Sequence, residues 1–434
     1  MFLKNISFLA LLLVILSCSS DDDSSSNQIT NTTALPTNTP LPTTNNVEVL
    51  NENLVHDGLV LAVENGSNKS YLIDRNGNHY RDFNFDTNLG NDLEILNNGK
   101  LLGSFKVNGT AFSFGGYGGK ARIINPDGSL EWEYTIANDD QLAHHDVEQL
   151  PNGNILMLVW ERVTQAEANA LGINANNDIF PESLYEINPN TNQIVWEWKS
   201  INHLIQDQDS SLPNFGSINQ NPNKIDFNYN IVSGNGDIMH ANGIDYDSEK
   251  DVIYLSVNFY SEVWVIDHST SISESNSSNG GNYNIGGDLI YRFGNPTTYQ
   301  NTSGNRLFYN NHFPNLLENA VPGEGNLLIY VNGGASNQSK VYELDMPDNF
   351  NLIADTNNEP AIVWSFTDVD LYLGHISGAD RLPNGNTLIC EGDYGFWEVT
   401  QSGEVVWKYS GLGQTTFWRG YGYSYDDDAI LNLN

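Results

Sequence analysis

The chain has 434 residues, 39% hydrophobic and 11% aromatic, enough apolar material for a substantial core. Eighteen Lys and Arg oppose 54 Asp and Glu, and the resulting charge of −36 repels phosphate backbones and argues against nucleic acid as a partner. Frequent Gly and Asn suit many short strands joined by tight turns.

Met1 to Cys18 reads as a processing signal. Lys4 gives a short positive start, Ile6 to Leu16 an apolar run too short to span a bilayer comfortably, and Ile15-Leu16-Ser17-Cys18 resembles a bacterial lipobox. In such signals the Cys becomes the lipidated first residue, so residues 1–18 are expected to be a lipoprotein signal peptide with Cys18 as its lipidation site. Residues 19–46 are polar, Pro-containing and nearly free of large apolar groups, which makes them a flexible tether. Asp21-Asp22-Asp23 resembles the acidic surface-export signals of some Gram-negative lipoproteins and serves equally well for solvation. The expected location is the outer membrane, on its periplasmic side or at the cell surface, with membrane contact only through the lipid anchor. Cys390 is then left alone, and no internal disulfide is expected.

Residues 47–434 read as one domain without a sustained helical period. Leu142 to Val147 and Gln165 to Gly172 are the plausible short helices or turns. Elsewhere a pattern recurs of two apolar residues or a near match, an aromatic, any residue and a second aromatic. It stands at Leu130–Tyr134, Ile194–Trp198, Leu289–Phe293, Ile362–Phe366 and Val405–Tyr409. Strand alternation puts both aromatics on one face. Leu150-Pro151-Asn152-Gly153-Asn154 and Leu382-Pro383-Asn384-Gly385-Asn386 mark hairpins, with Asn and Gly as the residues that tolerate positive φ. Five units of four antiparallel strands follow, at about 92–135, 145–198, 241–293, 312–366 and 376–409. Residues 59–84 form a partial unit that a strand near Thr416 to Tyr423 could complete, closing a ring and protecting its edges. The expectation is an all-β, six-bladed β-propeller of four-stranded antiparallel blades.

Four of the nine histidines, His145, His240, His312 and His375, each open the first strand of a unit. In propellers that strand lines the central channel, so the four rings could converge on one mouth. The ends of the second strands bring Trp160-Glu161-Arg162, Asn258, Asn332 and Glu391 beside them. His56, His79, His144, His203 and His268 lack this pattern and read as structural. No H-x-H, HExxH or carboxylate–His spacing supports a metal, so none is expected, and nucleophilic and acid–base chemistry on an anionic group is the better fit. Gly115 to Ala121 looks like a phosphate loop, but its spacing is wrong and no Ser or Thr follows Lys120.

His144-His145-Asp146 with LPNGN, the segment Met239 to Thr270, GGDLIYRFGNP (Gly286 to Pro296), Asn311-His312 followed by GNLLIYVNGG, and Ile376 to Gly392 resemble the bacterial arylsulfotransferase (aryl-sulfate sulfotransferase) family. The matches span roughly residues 90 to 425 in the family's order. The resemblance implies a six-bladed propeller that moves a sulfuryl group from an aryl sulfate donor to a phenolic acceptor without a nucleotide or other cofactor. It implies His312 as the nucleophile that becomes a sulfohistidine, and His145 and His240 as the groups that hold sulfuryl oxygens and shuttle protons. Asn242 matches the Asn of the family's H-x-N pattern. Asn258 stands where well-studied members carry an Arg, and both Asn residues are expected to bind substrate. His375 matches no catalytic position of the family. The alternative is a non-enzymatic surface propeller that binds a glycan or protein. A quinone-dependent dehydrogenase, suggested by Asn190 to Trp196 alone, ranks behind both.

Overall fold

The structure, a computed structural model, describes residues 46–231, 234–317, 321–333, 337–411 and 415–433. The signal peptide with Cys18 and all of the tether except Asn46 lie outside the described residues. No helix among the described residues is long and apolar enough to cross a membrane.

The fold is all-β, a propeller-like arrangement of small sheets. Successive strands pair as antiparallel neighbours. One four-stranded sheet runs Ala241–Asp247, Val252–Val257, Glu262–Asp267, Tyr291–Phe293, and a second runs Asn311–Leu316, Leu327–Val331, Lys340–Asp345, Ala361–Phe366. A five-stranded sheet runs Gly378–Arg381, Thr387–Glu391, Gly395–Val399 and Val405–Ser410, with Val47–Leu50 added at its outer edge. Eight strands between Leu89 and Lys199 form two antiparallel halves, joined by a parallel bridge between Asn91 and His145 and by isolated antiparallel bridges that pair Tyr117 with His144 and Ala137 with Leu142.

The remaining sheet draws on both ends of the folded chain. Phe417–Ser424 pairs antiparallel with Gly58–Glu64, from Gly58 opposite Ser424 to Glu64 opposite Phe417, ahead of Lys69–Ile73 and His79–Asn84. The carboxyl-terminal strand completes the partial amino-terminal unit in this way, and it removes two open edges at once.

Burial explains the sequence pattern of each strand. Inner strands are covered on both faces, so Leu59 to Val63 are all at 0% exposure and show no alternation. Outer strands alternate. In Gln193–Lys199, Trp196 and Trp198 are buried while Ile194 and Val195 stay exposed. The paired aromatics do share a face. Trp132 and Tyr134 lie with ring centroids 6.1 Å apart and planes 10° from parallel, and Trp364 with Phe366 and Trp407 with Tyr409 repeat the arrangement. Truncating one of the fully buried indoles would cost about 3–5 kcal/mol.

Two local expectations are corrected. Leu142 to Val147 is not helical but part of the strand Gln141–Gln149, where pairing with Ile155–Glu161 overrides a weak local preference. In Leu150–Asn154 only Gly153 has positive φ, at 82°. Pro151 sets up a turn closed by the Gly153 N–H donating to the Leu150 carbonyl, and left-handed backbone falls to the glycine alone. Gln165–Ala170 is helical as read, capped by Thr164 and Glu167.

The innermost strands leave one backbone edge facing the central channel. Carboxylates of the preceding unit satisfy it. Asp146 accepts the Ile244 N–H at 2.8 Å, Glu148 the Tyr246 N–H at 3.1 Å, Asp245 the Leu316 N–H at 2.5 Å and Asp380 the Gly422 N–H at 2.9 Å. Arg419, from the closing strand, donates to both Asp146 oxygens at 2.9 Å and to the Asn242 carbonyl at 3.0 Å.

These groups line a cavity of about 890 Å³, with Glu94 on its wall. Burial, reinforced by Asp146 and Asp245, pushes the Glu94 carboxyl up to about 8. A carboxyl raised on folding stabilises the fold while protonated, and that contribution is lost as pH rises through the folded value. The Glu94 share of stability should therefore fade as pH climbs from 4.5 to about 8. Glu94→Gln should raise the melting midpoint at pH 8 more than at pH 5. Equal shifts at both pH values would remove Glu94 from this account.

Candidate active site

The histidine mouth is built near the starts of inner strands for His240 and His312, while His145, expected to open its strand, lies midway along Gln141–Gln149. Non-glycine residues take left-handed backbone there: His145 (φ 53°), His240 (φ 50°), Phe313 (φ 54°) and Ile376 (φ 54°). Register shifts accompany them between Met157 and Val159, Ala241 and Gly243, and His312 and Pro314. Bulges of this kind re-aim side chains. They also correct the apparent equivalence of the four histidines. His145 and His240 are themselves the left-handed residues, while His312 and His375 each stand one residue ahead of theirs.

Three of the rings nevertheless converge. The His145 and His240 centroids are 4.8 Å apart, edge to face. Trp418, on the closing strand, has His145 at 5.6 Å and His312 at 5.9 Å. All three histidines and Trp418 are nearly fully buried. His375 is exposed and adds a Coulombic influence on His312.

Each ring is oriented by its own partner. His312 Nδ1 lies 2.5 Å from Asn332 Oδ1. The Asn332 amide nitrogen donates to the Leu373 and Ile376 carbonyls at 2.8 and 3.0 Å, so only its oxygen is left for His312. That assigns the proton to Nδ1 and leaves a lone pair on Nε2. Burial holds His312 well below the ordinary imidazole range. Asn332 opposes this, while His240, His375 and Arg419 add to it. His240 Nδ1 sits 2.5 Å from Asp237, and its ring stacks on Phe259 at 4.8 Å and 13°.

His145 Nδ1 is 2.8 Å from His144 Nδ1, so the two rings share one proton at that contact. Burial first and His240 second hold both well below the ordinary range. His144 lies flat on Trp160, centroids 3.6 Å apart. The glycine segment dismissed as a phosphate loop packs here instead. A Cβ on Gly116 would come within 2.1 Å of His145 Nε2, and the His145 N–H donates to the Gly116 carbonyl.

Asn242 and Asn258 turn inward. Both amide nitrogens donate to the carbonyl of Asn311, at 2.9 and 3.3 Å, and Asn258 Oδ1 accepts from Asn310 at 3.0 Å. They clamp the backbone immediately before His312. Arg162 and Glu391, also expected at the mouth, are engaged elsewhere: Arg162 pairs with Asp178 at 2.6 Å and Glu391 accepts the Tyr394 N–H. Among the described residues, no three or more His, Cys, Asp or Glu side chains are gathered so as to hold a metal ion.

The arylsulfotransferase (ASST) family model matches residues 44–414. The chain belongs to the arylsulfotransferase (ASST) family. Membership supports a sulfotransferase, with aryl sulfates and phenols as the small molecules it implies. No curated protein matches this chain. Similar solved structures include a candidate 6-phosphogluconolactonase from Bacteroides fragilis (11% identity, 85% of this chain and 98% of that chain, TM-score 0.42). Others are Kuenenia stuttgartiensis hydrazine synthase (14%, 67% and 68%, TM-score 0.37) and a WD40 domain of Toxoplasma gondii coronin (8%, 84% and 68%, TM-score 0.38). Likeness at this level carries no argument about activity.

Sequence reasoning missed His144, Asp237, Trp418 and Arg419. His144 adjoins His145 in the chain and was the most accessible of them. Asp237 sits in a long connection and Trp418–Arg419 in the strand that closes the ring, and neither carries a local motif.

Asn332→Asp tests the tautomer. A carboxylate against Nδ1 favours the imidazolium, so the acid limb of the pH–rate profile should move up by about one pH unit or more. An unmoved limb with activity retained would show that His312 does not titrate in that limb.

Proposed function

We propose that this chain transfers a sulfuryl group from an aryl sulfate to a phenol, with His312 as the covalent carrier and no nucleotide involved. The observation that carries the proposal is the His312–Asn332 contact, which leaves a neutral, buried Nε2 lone pair beside two further oriented histidines.

In the first step Nε2 attacks sulfur, the bond from sulfur to the aryl oxygen breaks, and the departing phenolate takes its electron pair and a proton from His240, the ring set against the Asp237 carboxylate. In the second, that group recovers a proton from the acceptor phenol, the phenolic oxygen attacks sulfur, and the S–N bond breaks to restore His312. Splitting the transfer replaces one hard displacement by two easier ones. If His144 is the Nδ1 donor of its pair, neutral His145 must carry its proton on Nε2, where it can donate to a sulfuryl oxygen. Asn242 and Asn258 serve as positioning residues, holding the Asn311 carbonyl and so the His312 backbone.

The same reading counts six blades. The eight-stranded sheet splits into two blades, because each half pairs continuously within itself while only isolated bridges join the two. Lipidation at Cys18 would place the enzyme on the outer membrane, facing the periplasm or the exterior. Mass analysis of the mature chain should find acyl groups on Cys18, and an unmodified amino terminus on exported protein would end that part of the proposal.

The carrier step has a kinetic and a chemical signature. Initial-rate plots against donor at several acceptor levels should be parallel, since the first product leaves before the acceptor reacts. Donor alone should add one sulfuryl mass to a peptide containing His312. His312→Asn should abolish phenol release and transfer alike, and full activity in that variant would overturn the mechanism.

A further inference from the structure

In so acidic a chain arginines find carboxylates, and six of the eight do so. Among the described residues Arg81 and Arg306 have no such ion pair. Arg81 bonds to main-chain carbonyls of Leu433 and Pro126, on the outer strand His79–Asn84. Arg306 lies on the histidine side of the fold. Its Nε donates to the Phe308 carbonyl at 3.0 Å and one terminal nitrogen to Ser261 Oγ at 2.8 Å.

Ser261 ties Arg306 to the mouth. The same Oγ accepts the Asn310 N–H at 3.1 Å, and Ser261 ends the turn from Asn258, whose Oδ1 accepts from the Asn310 side chain. Asn310 is two residues from His312. The turn's other end meets the His240 segment, with the Asn258 N–H donating to the His240 carbonyl. Arg306 therefore belongs to the backbone framework that carries both His240 and His312.

The guanidinium is also built into an aromatic surface. Its central carbon lies 3.6 Å from the ring centroid of Tyr309, which remains 40% exposed. Phe259, stacked on His240, is 36% exposed. Arg306 is itself half-buried, and burial lowers its pKa. A guanidinium partly stripped of water, with no carboxylate in direct contact and Glu262 acting on it only from a distance, is costly to hold unless a ligand supplies a closer charge. Arg pairs bidentately with planar carboxylates, and its stacking on Tyr309 fixes the plane of the fork.

We propose that Arg306 and Tyr309 form a recognition subsite for an anionic aromatic substrate, a phenol whose ring carries a carboxylate away from the reacting hydroxyl. Tyr309 offers the ring its exposed edge, beside the guanidinium stacked on its face, and Arg306 takes the carboxylate. For its reaction the proposal rests on the sulfuryl-transfer reading; for its ligand it does not.

The probes are 4-hydroxyphenylacetate and its neutral counterpart 4-ethylphenol, tested with the full chain. Calorimetry should show the wild type binding the carboxylated phenol more tightly. Arg306→Gln should cut that preference by about tenfold or more, and Arg306→Lys should restore part of it. With an aryl sulfate donor, the ratio of kcat/KM for the two acceptors should fall by a similar factor in Arg306→Gln. Circular dichroism confirms that the variants are folded. Equal binding of the two phenols by the wild type, or an unchanged preference in Arg306→Gln, would overturn the subsite. Binding that depends on Arg306 without any turnover would leave the subsite standing and remove the transfer reading instead.

Discussion

The backbone edge of each innermost strand is the constraint on which the rest depends. A strand that lines a channel pairs on one side only, and its free N–H groups cannot be left dry. This protein meets them with carboxylates from the neighbouring unit: Asp146, Glu148, Asp245 and Asp380. The solution ties successive units together and fixes how far the histidine-bearing ends can shift. It also packs like charges into one cavity, where burial raises Glu94, Glu148 and Asp380 above their ordinary values. Arg419 offsets part of that charge while spanning from the closing strand to Asp146 and Asn242.

That arrangement lets a strongly acidic protein offer a site to an anion. The carboxylates sit deeper along the inner strands, and the mouth carries neutral imidazoles in their place. Burial does the tuning. His144, His145 and His312 are all depressed chiefly by loss of water, so they are free bases at neutral pH without any metal or dedicated base to strip them. Orientation then comes from uncharged or shared contacts, Asn332 for His312 and His144 for His145, which fix a tautomer without favouring the imidazolium as a carboxylate would. His240 is the exception, set against Asp237.

Much of this was legible in the sequence. The i, i+2 aromatics fixed the outer strands, because only a strand puts such residues on one face, and the ring closure followed from an amino-terminal unit short of one strand. His145, His240 and His312 were singled out as openers of inner strands, a position that His240 and His312 hold, while His145 lies midway along Gln141–Gln149. What could not be read was non-local. One-residue bulges displace His312 relative to His240, and no periodicity announces a bulge. Asn242 and Asn258 looked like groups aimed at substrate, yet their amides are committed to the Asn311 carbonyl, a partner more than 50 residues away. Trp418 and Arg419 looked like ordinary strand residues until the closing strand brought them beneath the histidines.

The closing strand has a consequence for the order in which this protein comes into being. Phe417–Ser424 follows every other strand of the fold in chain order, and it carries both the indole between His145 and His312 and the guanidinium that grips Asp146. Every histidine of the mouth is made earlier, but His145 and His312 lack their shared indole until that strand docks beside Gly58–Glu64. Competence therefore waits for this strand, and a chain interrupted in synthesis, or clipped before residue 417, would have no assembled centre with which to meet a substrate.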